Sequence, residues 1–390
     1  MKHFNYLTKE EKEEIFYIQP REFSSTTDKN VLSMALGAAL YTPATHENIA
    51  RDIISNKYPE RAAAVFDLED AIGTDEIFAG IDNLTKQFAT IKEALDNGSL
   101  NRDHMPIMFL RVRDIEQFKE ILTNINKLDA LTGFVFPKVT STNVGEYFKT
   151  LLQANVQTNK IFYGMPIIET STVMYKETRV AELTAIRNTL DLFKDLVLNV
   201  RIGGTDFSGI YGIRRSIDTT IYDIQVVRDC ITDILNFFNR RDNYYVCSGV
   251  VWEYFNKNKH RLLKPELRVT PFNKEEGGKG QKQRYDIVEQ AIDGLIKEII
   301  LDKANGIIGK TVIHPTHVSY VNALQTITRE EYEDALSIVN SHDMGGVHKS
   351  ASGNKMNEVG PHYFWAKKIL AKTEVYGVLN YNQNYNRLFR

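Results

Sequence analysis

The stretch Ile161-Phe-Tyr-Gly-Met-Pro-Ile-Ile-Glu169 decides the fold. An unbroken apolar run of this length is the pattern of a strand buried on both faces, as parallel strands are, and the carboxylate that closes it stands where such a strand reaches a rim. The next run of the same kind, Leu196 to Ile202, is followed by Gly203-Gly204-Thr205-Asp206. Two adjacent strands thus present two carboxylates, Glu169 and Asp206, at one rim, where they are expected to hold one divalent metal ion.

Outward from this pair the same rhythm repeats. Short apolar runs occur at Ser33 to Tyr41, Ala62 to Asp67, Pro106 to Val112, Gly133 to Pro137, Tyr245 to Val250 and Gly309 to Ile313. Between them lie stretches such as Ile81 to Leu95 and Thr219 to Phe238, whose apolar residues recur at three and four, the period of an amphipathic helix. Eight strands separated by helices predict an α/β protein of the (β/α)8 TIM-barrel type. The alternative is an open doubly wound sheet. No Gly-x-Gly-x-x-Gly follows the first run, however; Thr42-Pro43-Ala44-Thr45 does.

A barrel does its chemistry at the carboxyl ends of its strands, so those ends are the candidate site. They carry Asp67, Glu69 and Asp70, then Arg111, Lys138, Glu169, Asp206 and His314. Two carboxylates without a histidine or thiolate partner suit a hard ion, and Mg2+ keeps most of its waters until a substrate replaces them. A 2-keto or 3-hydroxy acid supplies such oxygens. Arg111 is expected to grip a substrate carboxylate with its fork, and Lys138 to pair with the acidic cluster. The ion would act as a Lewis acid for an enolate formed as a carbon-carbon bond breaks or forms. Lys138 as a Schiff-base lysine, giving a metal-free aldolase, is the alternative within the same barrel. His314-Pro-Thr-His317 has a metal-compatible spacing, but proline there favours a structural turn.

Composition narrows the partners. The 390 residues are 43% hydrophobic and 25% charged, the profile of an ordinary globular protein. The 48 basic and 50 acidic side chains give a formal charge of -2, so no global field recruits nucleic acid or an anionic membrane. The two cysteines, Cys230 and Cys247, are too few for a disulfide framework, which points to the cytoplasm. Cys247 falls inside an apolar run, where a thiol is usually inert, and no Gly-x-Ser-x-Gly elbow occurs.

Three segments follow from this reading: an N-terminal cover over 1–30, a barrel over 31–320, and a helical tail over 321–390 that would serve as a lid or an oligomerisation segment. In the tail, Thr328-Arg-Glu-Glu opens a helix by a capping-box pattern, and Phe364 to Leu379 reads as a second helix. The barrel carries a basic insertion, Asn256 to Arg284, either a solvated loop or a clamp on phosphate groups. Nucleic acid is not expected there, because aromatic residues are nearly absent.

The set Val65-Phe-Asp-Leu-Glu-Asp-Ala71, Leu110-Arg-Val112, Gly133-Phe-Val-Phe-Pro-Lys138, Pro166-Ile-Ile-Glu169, Gly203 to Phe207 and Gly306-Ile-Ile-Gly-Lys-Thr-Val-Ile-His-Pro315 resembles, in order and spacing, the citrate lyase beta subunit branch of the HpcH/HpaI aldolase superfamily. The resemblance covers roughly residues 33 to 320. It implies a Mg2+-dependent carbon-carbon lyase on a TIM barrel, usually a homotrimer or homohexamer, acting on thioesters of CoA or acyl carrier protein; the residues themselves point to a small oxo or hydroxy acid, free or as such a thioester. It further implies Glu169 and Asp206 as metal ligands and Arg111 as the substrate-carboxylate arginine. Asp67, Glu69 and Asp70 would form the catalytic acidic loop beside the ion, with Lys138, Gly204 and Thr205 as further substrate contacts.

The chain departs from the pattern at Arg113, at Thr205-Asp206-Phe207, and at Met356-Asn357-Glu358 with Pro361, where relatives place a lid motif contributed by a neighbouring subunit. A catalytically idle metabolite-binding or partner-binding relative is therefore the rival reading.

Overall fold

The computed structural model describes residues 1–124, 128–255, 292–343, 345–350 and 353–389. Eight parallel strands form the centre: β1 Ala38–Pro43, β2 Ala63–Asp67, β3 Ile107–Arg111, β4 Gly133–Phe136, β5 Tyr163–Ile168, β6 Val200–Ile202, β7 Cys247–Ser248 and β8 Lys310–Val312. Their order in the sheet is β7-β6-β5-β4-β3-β2-β1-β8. The two ends meet through a parallel bridge between Gly249 and Lys310, and Thr311 N–H donates to the Gly249 carbonyl at 3.2 Å. The predicted barrel is thus closed. The basic insertion Asn256 to Arg284 lies outside the described residues.

Alternation along the strands separates two cores. Ala39, Val65, Phe109, Val135, Met165 and Ile167 point into the barrel, whereas Ala64, Phe66, Met108, Leu110, Phe134 and Phe136 face the surrounding helices. The predicted strand boundaries run long at several ends. Ser33 to Ala35 belong to a helix, Lys29–Ala35, capped by Asp28, whose side chain accepts from Asn30 N–H. Gly37, at φ +49, then turns the chain into β1. A short buried apolar run has the same hydropathy in helix and strand, so only the cap distinguished them.

The terminal segments meet each other. Phe16–Ile18 pairs antiparallel with Val378–Leu379. In the tail, the helix Arg329–Asn340 begins with the expected box, Thr328 Oγ1 accepting from Glu331 N–H and Glu331 Oε2 from Thr328 N–H. The second tail helix runs Val359–Tyr376 and ends at Gly377, φ +74.

Tyr376 OH donates to the Met34 carbonyl at 2.7 Å, and Phe364 packs edge-on against Tyr244 at 5.6 Å. Met34 and Tyr244 precede β1 and β7, so this helix lies beneath the amino end of the barrel. Within one chain the tail therefore closes the end away from the carboxyl-end rim. Asn357, in the stretch where relatives carry the lid motif, is buried and donates to Asp334 Oδ1 at 2.8 Å.

Candidate active site

Strand register decides which side chains meet. Asp67 and Arg111 are direct partners on β2 and β3, and the two-residue alternation turns both inward above Val65 and Phe109. Arg111 donates from Nε to Asp67 Oδ1 at 2.6 Å and from Nη2 to Oδ2 at 2.5 Å, a two-pronged contact. Its Nη1 lies 2.9 Å from Glu69 Oε2 and 3.2 Å from Asp70 Oδ2. Burial opposes the charge of Arg111, but the contacts with Asp67 outweigh it and raise the guanidinium pKa. Sequence reasoning gave this fork to a substrate carboxylate. In the structure it is turned onto Asp67, because the two stand side by side at the same rung of the sheet.

Asp67 also accepts from the backbone N–H groups of Glu69 at 2.9 Å and Ala71 at 3.2 Å. Both its oxygens are engaged in fixing Arg111 and the turn that follows β2. Glu69 ion-pairs with Lys138 Nζ, which also lies 3.7 Å from Asp70 Oδ1. Burial, then the hydrogen bond and charge of Asp70, raise the Glu69 pKa. For Asp70 burial works upward too, but the Glu69 hydrogen bond and the charges of Arg111 and Lys138 carry it below the ordinary value. Burial pulls the Lys138 pKa down, yet Glu69 and Asp70 raise it on balance. A lysine held charged in this way is a poor Schiff-base nucleophile.

The backbone of Lys138 has φ +48, the left-handed region that a residue with a Cβ rarely adopts. In that conformation its N–H points at Glu169 and donates to Oε1 at 2.7 Å. Glu169 itself continues the inward row Met165, Ile167 of β5. Its other oxygen occupies the space beside Gly203, where an added Cβ would come within 2.3 Å of Oε2. The glycine after β6 is thus required by the carboxylate across from it.

Asp206, in the first turn of Gly204–Ile210, lines the same cavity as Glu169 and acts on it as a neighbouring charge. Burial and then the neighbouring Asp206 push the Glu169 carboxyl up to about 8; burial and then Asp70 raise Asp206. Two neighbouring carboxyls, Glu169 buried and Asp206 half-buried, resist a second negative charge, and a cation between them relieves this. Among the described residues no group of three or more His, Cys, Asp or Glu is placed to hold a metal. The pair would therefore supply two hard oxygens and leave the other positions to water or ligand, as Mg2+ prefers.

These residues border a cavity of about 610 Å3. Asp70, Arg111, Glu169, Gly204, Thr205 and Asp206 all line it, whereas Glu69 and Lys138 lie behind. Thr205 Oγ1 donates to Glu253 Oε1 at 2.9 Å. His314 lies apart from the cavity lining. It stacks on Phe255 with ring centroids 4.5 Å apart, and Pro315–His317 form the expected turn. Cys230 and Cys247 are buried, and burial pushes each thiol up to about 12.

Four lining residues escaped the sequence reading: Tyr41 on β1, Arg201 on β6, Glu253 and Thr311. Arg201 was legible, as a charge set inside the apolar run Leu196 to Ile202. Tyr41 and Thr311 carry no such signal.

Comparison with known proteins agrees with this architecture. A family model described as C-C bond lyase of the TIM-barrel fold matches residues 30–378. No curated protein matches the chain in sequence. A citrate lyase from Burkholderia xenovorans LB400 is similar in structure, with a TM-score of 0.57 at 12% identity, over 91% of this chain and 96% of that one. The protein CitE from Mycobacterium tuberculosis, in complex with magnesium, acetoacetate and coenzyme A, is similar with a TM-score of 0.51 at 15% identity, over 87% and 98% of the two chains. At such identities the structural likeness speaks for the fold, and the family match speaks for the chemistry. The chain belongs to the carbon-carbon bond lyase family of the TIM-barrel fold.

Proposed function

We propose that the chain is a Mg2+-dependent lyase that breaks or forms a carbon-carbon bond beside a carbonyl, through an enolate, in a small oxo or hydroxy acid or its CoA or acyl-carrier thioester. The observation that carries this reading is the Glu169 and Asp206 pair, two adjacent carboxyls raised by burial and by their carboxylate neighbours, opening onto a cavity beside Arg111. Glu169 and Asp206 would hold the ion, and the magnesium in the CitE complex is in keeping with it. When bound, Mg2+ supplies Lewis-acid stabilisation of charge developing on the substrate oxygen.

The side chains of the site then divide the remaining work. Asp67 holds Arg111, and Glu69 holds Lys138, so two cations stand behind the pair without neutralising it. Asp70 faces the cavity and is kept ionised by Glu69, Arg111 and Lys138, so it offers a hydrogen-bond acceptor to a hydroxyl of the acid or to water. Gly203 makes room for the Glu169 side chain and Gly204 for Val250, while Thr205 is tied to Glu253 on the cavity wall. The tail would cover the rim of a neighbouring copy in a homotrimer or homohexamer, since within one chain it lies at the other end.

The test has two parts. Calorimetric titration should show Mg2+ binding that Glu169→Gln and Asp206→Asn remove. A panel of hydroxy acids and their CoA thioesters should then yield a metal-dependent release of a 2-oxo acid. The occupied fork of Arg111 favours one rival, a metabolite-binding protein without turnover; binding of acids with no product from any panel member would establish it.

A further inference from the structure

Arg201 is the cation of this cavity whose charge the described residues leave unmatched. It stands on β6 in register with Ile167 of β5 and lines the cavity from below. It is 1% exposed. Nη2 donates to Thr311 Oγ1 at 2.6 Å, while Nε and Nη1 have no hydrogen-bond partner among the described residues. The Tyr41 ring lies between the two arginines of the site, 5.7 Å from Arg201 Cζ and 5.3 Å from Arg111 Cζ.

The cations of the rim, by contrast, are both paired: Arg111 contacts Asp67, Glu69 and Asp70, and Lys138 contacts Glu69 and Asp70. A buried guanidinium with unused N–H groups is costly unless something completes it, and the position could have carried an apolar residue like its strand neighbours Val200 and Ile202.

We infer that Arg201 receives a second anionic group of the substrate, a carboxylate at the end of the acid remote from the carboxylate pair, and so makes the site selective for short diacids over monoacids. The inference rests on the reading of the site as a metal-dependent oxo-acid site and adds a specificity-determining residue to it. The spacing suits this role. Ile167 precedes Glu169 by two residues on β5, so the Arg201 rung lies about 6 to 7 Å below the Glu169 rung at the usual strand rise. An acid whose oxo end meets the rim can then reach the guanidinium with its other end. Tyr41 and Thr311 flank that position and hold the guanidinium in place.

The experiment is calorimetry on the full chain in saturating Mg2+, with pyruvate as monoacid and oxaloacetate and 2-oxoglutarate as diacids. Wild type is compared with Arg201→Met and Arg201→Lys. The expected result is at least one diacid bound about tenfold or more tighter than pyruvate, a preference that the methionine variant loses and the lysine variant keeps in part. Pyruvate and Mg2+ should bind all three proteins within about twofold, as the lost partner belongs to the second carboxylate alone. The ligand-free melting temperature of Arg201→Met should equal or exceed that of wild type, because an uncompensated buried charge has been removed; a purely structural arginine would make it fall.

Equal affinity of wild type for diacids and pyruvate overturns the inference. So does an Arg201→Met protein that keeps the preference, or one that weakens both acid types alike. If Mg2+ does not bind wild type but the diacid preference persists and vanishes in Arg201→Met, the metal reading fails while the anion subsite stands.

Discussion

The two ends of the barrel are built on opposite principles. At the carboxyl end, charged side chains crowd together: Asp67, Glu69, Asp70, Glu169 and Asp206 face Arg111, Lys138 and Arg201 around one cavity. At the amino end, Met1, Phe23, Leu32, Val375 and Tyr376 join the barrel interior in one apolar core, so both termini serve as a plug. The rim holds charges in arrangements that favour a ligand over the empty protein. The floor holds apolar area that favours the fold itself. Substitutions at the rim should therefore remove function at little cost in stability, and those at the floor the reverse.

The largest expected effect breaks the rim alone. Glu169→Gln or Asp206→Asn should lower metal-dependent turnover by about 10^3-fold or more, as a carboxamide cannot supply the ion's counter-charge. Chemical denaturation should find the fold as stable as wild type or slightly more so, since the amide removes a carboxyl repelled by its neighbour. Unchanged turnover in either variant would refute the metal assignment.

The mirror experiment is at the floor. Tyr376→Ala should cost about 3 to 5 kcal/mol in urea unfolding, by leaving a cavity where a fully buried ring stood. Its Mg2+ affinity should stay within about twofold of wild type. Loss of metal binding at a temperature where the variant is folded would show that the two ends are coupled after all.

Arg111 tests where the comparison is weakest. It belongs to the rim, yet it neutralises the buried Asp67, so Arg111→Met should lose activity and also about 3 to 5 kcal/mol, the usual cost of breaking a buried pair. A stability loss below about 1 kcal/mol would mean that Asp67 is satisfied by its backbone donors alone.

Much of this contrast could be read before the structure. All eight strands overlap apolar runs, six of them with charge at or just past the carboxyl end, and counting by twos from Val65, Phe109 and Ile167 turns Asp67, Arg111 and Glu169 to one interior. What sequence could not show is how the rim charges share partners. Asp67 and Arg111 pair because strand register sets them at the same rung, and register is a property of the closed sheet. The left-handed Lys138 likewise follows from the position of Glu169 on the next strand. The tail went to the amino end for a reason equally invisible locally: its apolar face matches Leu32 and Met34, far away in sequence.

The smallest effect is in pH. Without metal, the Glu169 carboxyl is pushed up to about 8 by burial and then by Asp206, above the ordinary value of 4.5. The folded protein therefore binds a proton between these values that the unfolded chain has released. The resulting stabilisation is complete below pH 4.5 and fades as pH rises through about 8. Ligand-free wild type should thus lose melting temperature between pH 5 and pH 9 relative to Glu169→Gln, whose amide does not titrate. Mg2+ must displace the same proton, so its affinity should rise by up to about tenfold per pH unit over that range and level off above it. Parallel stability curves for the two proteins, with a pH-independent Mg2+ affinity, would show that the pair at the rim is already satisfied without an ion.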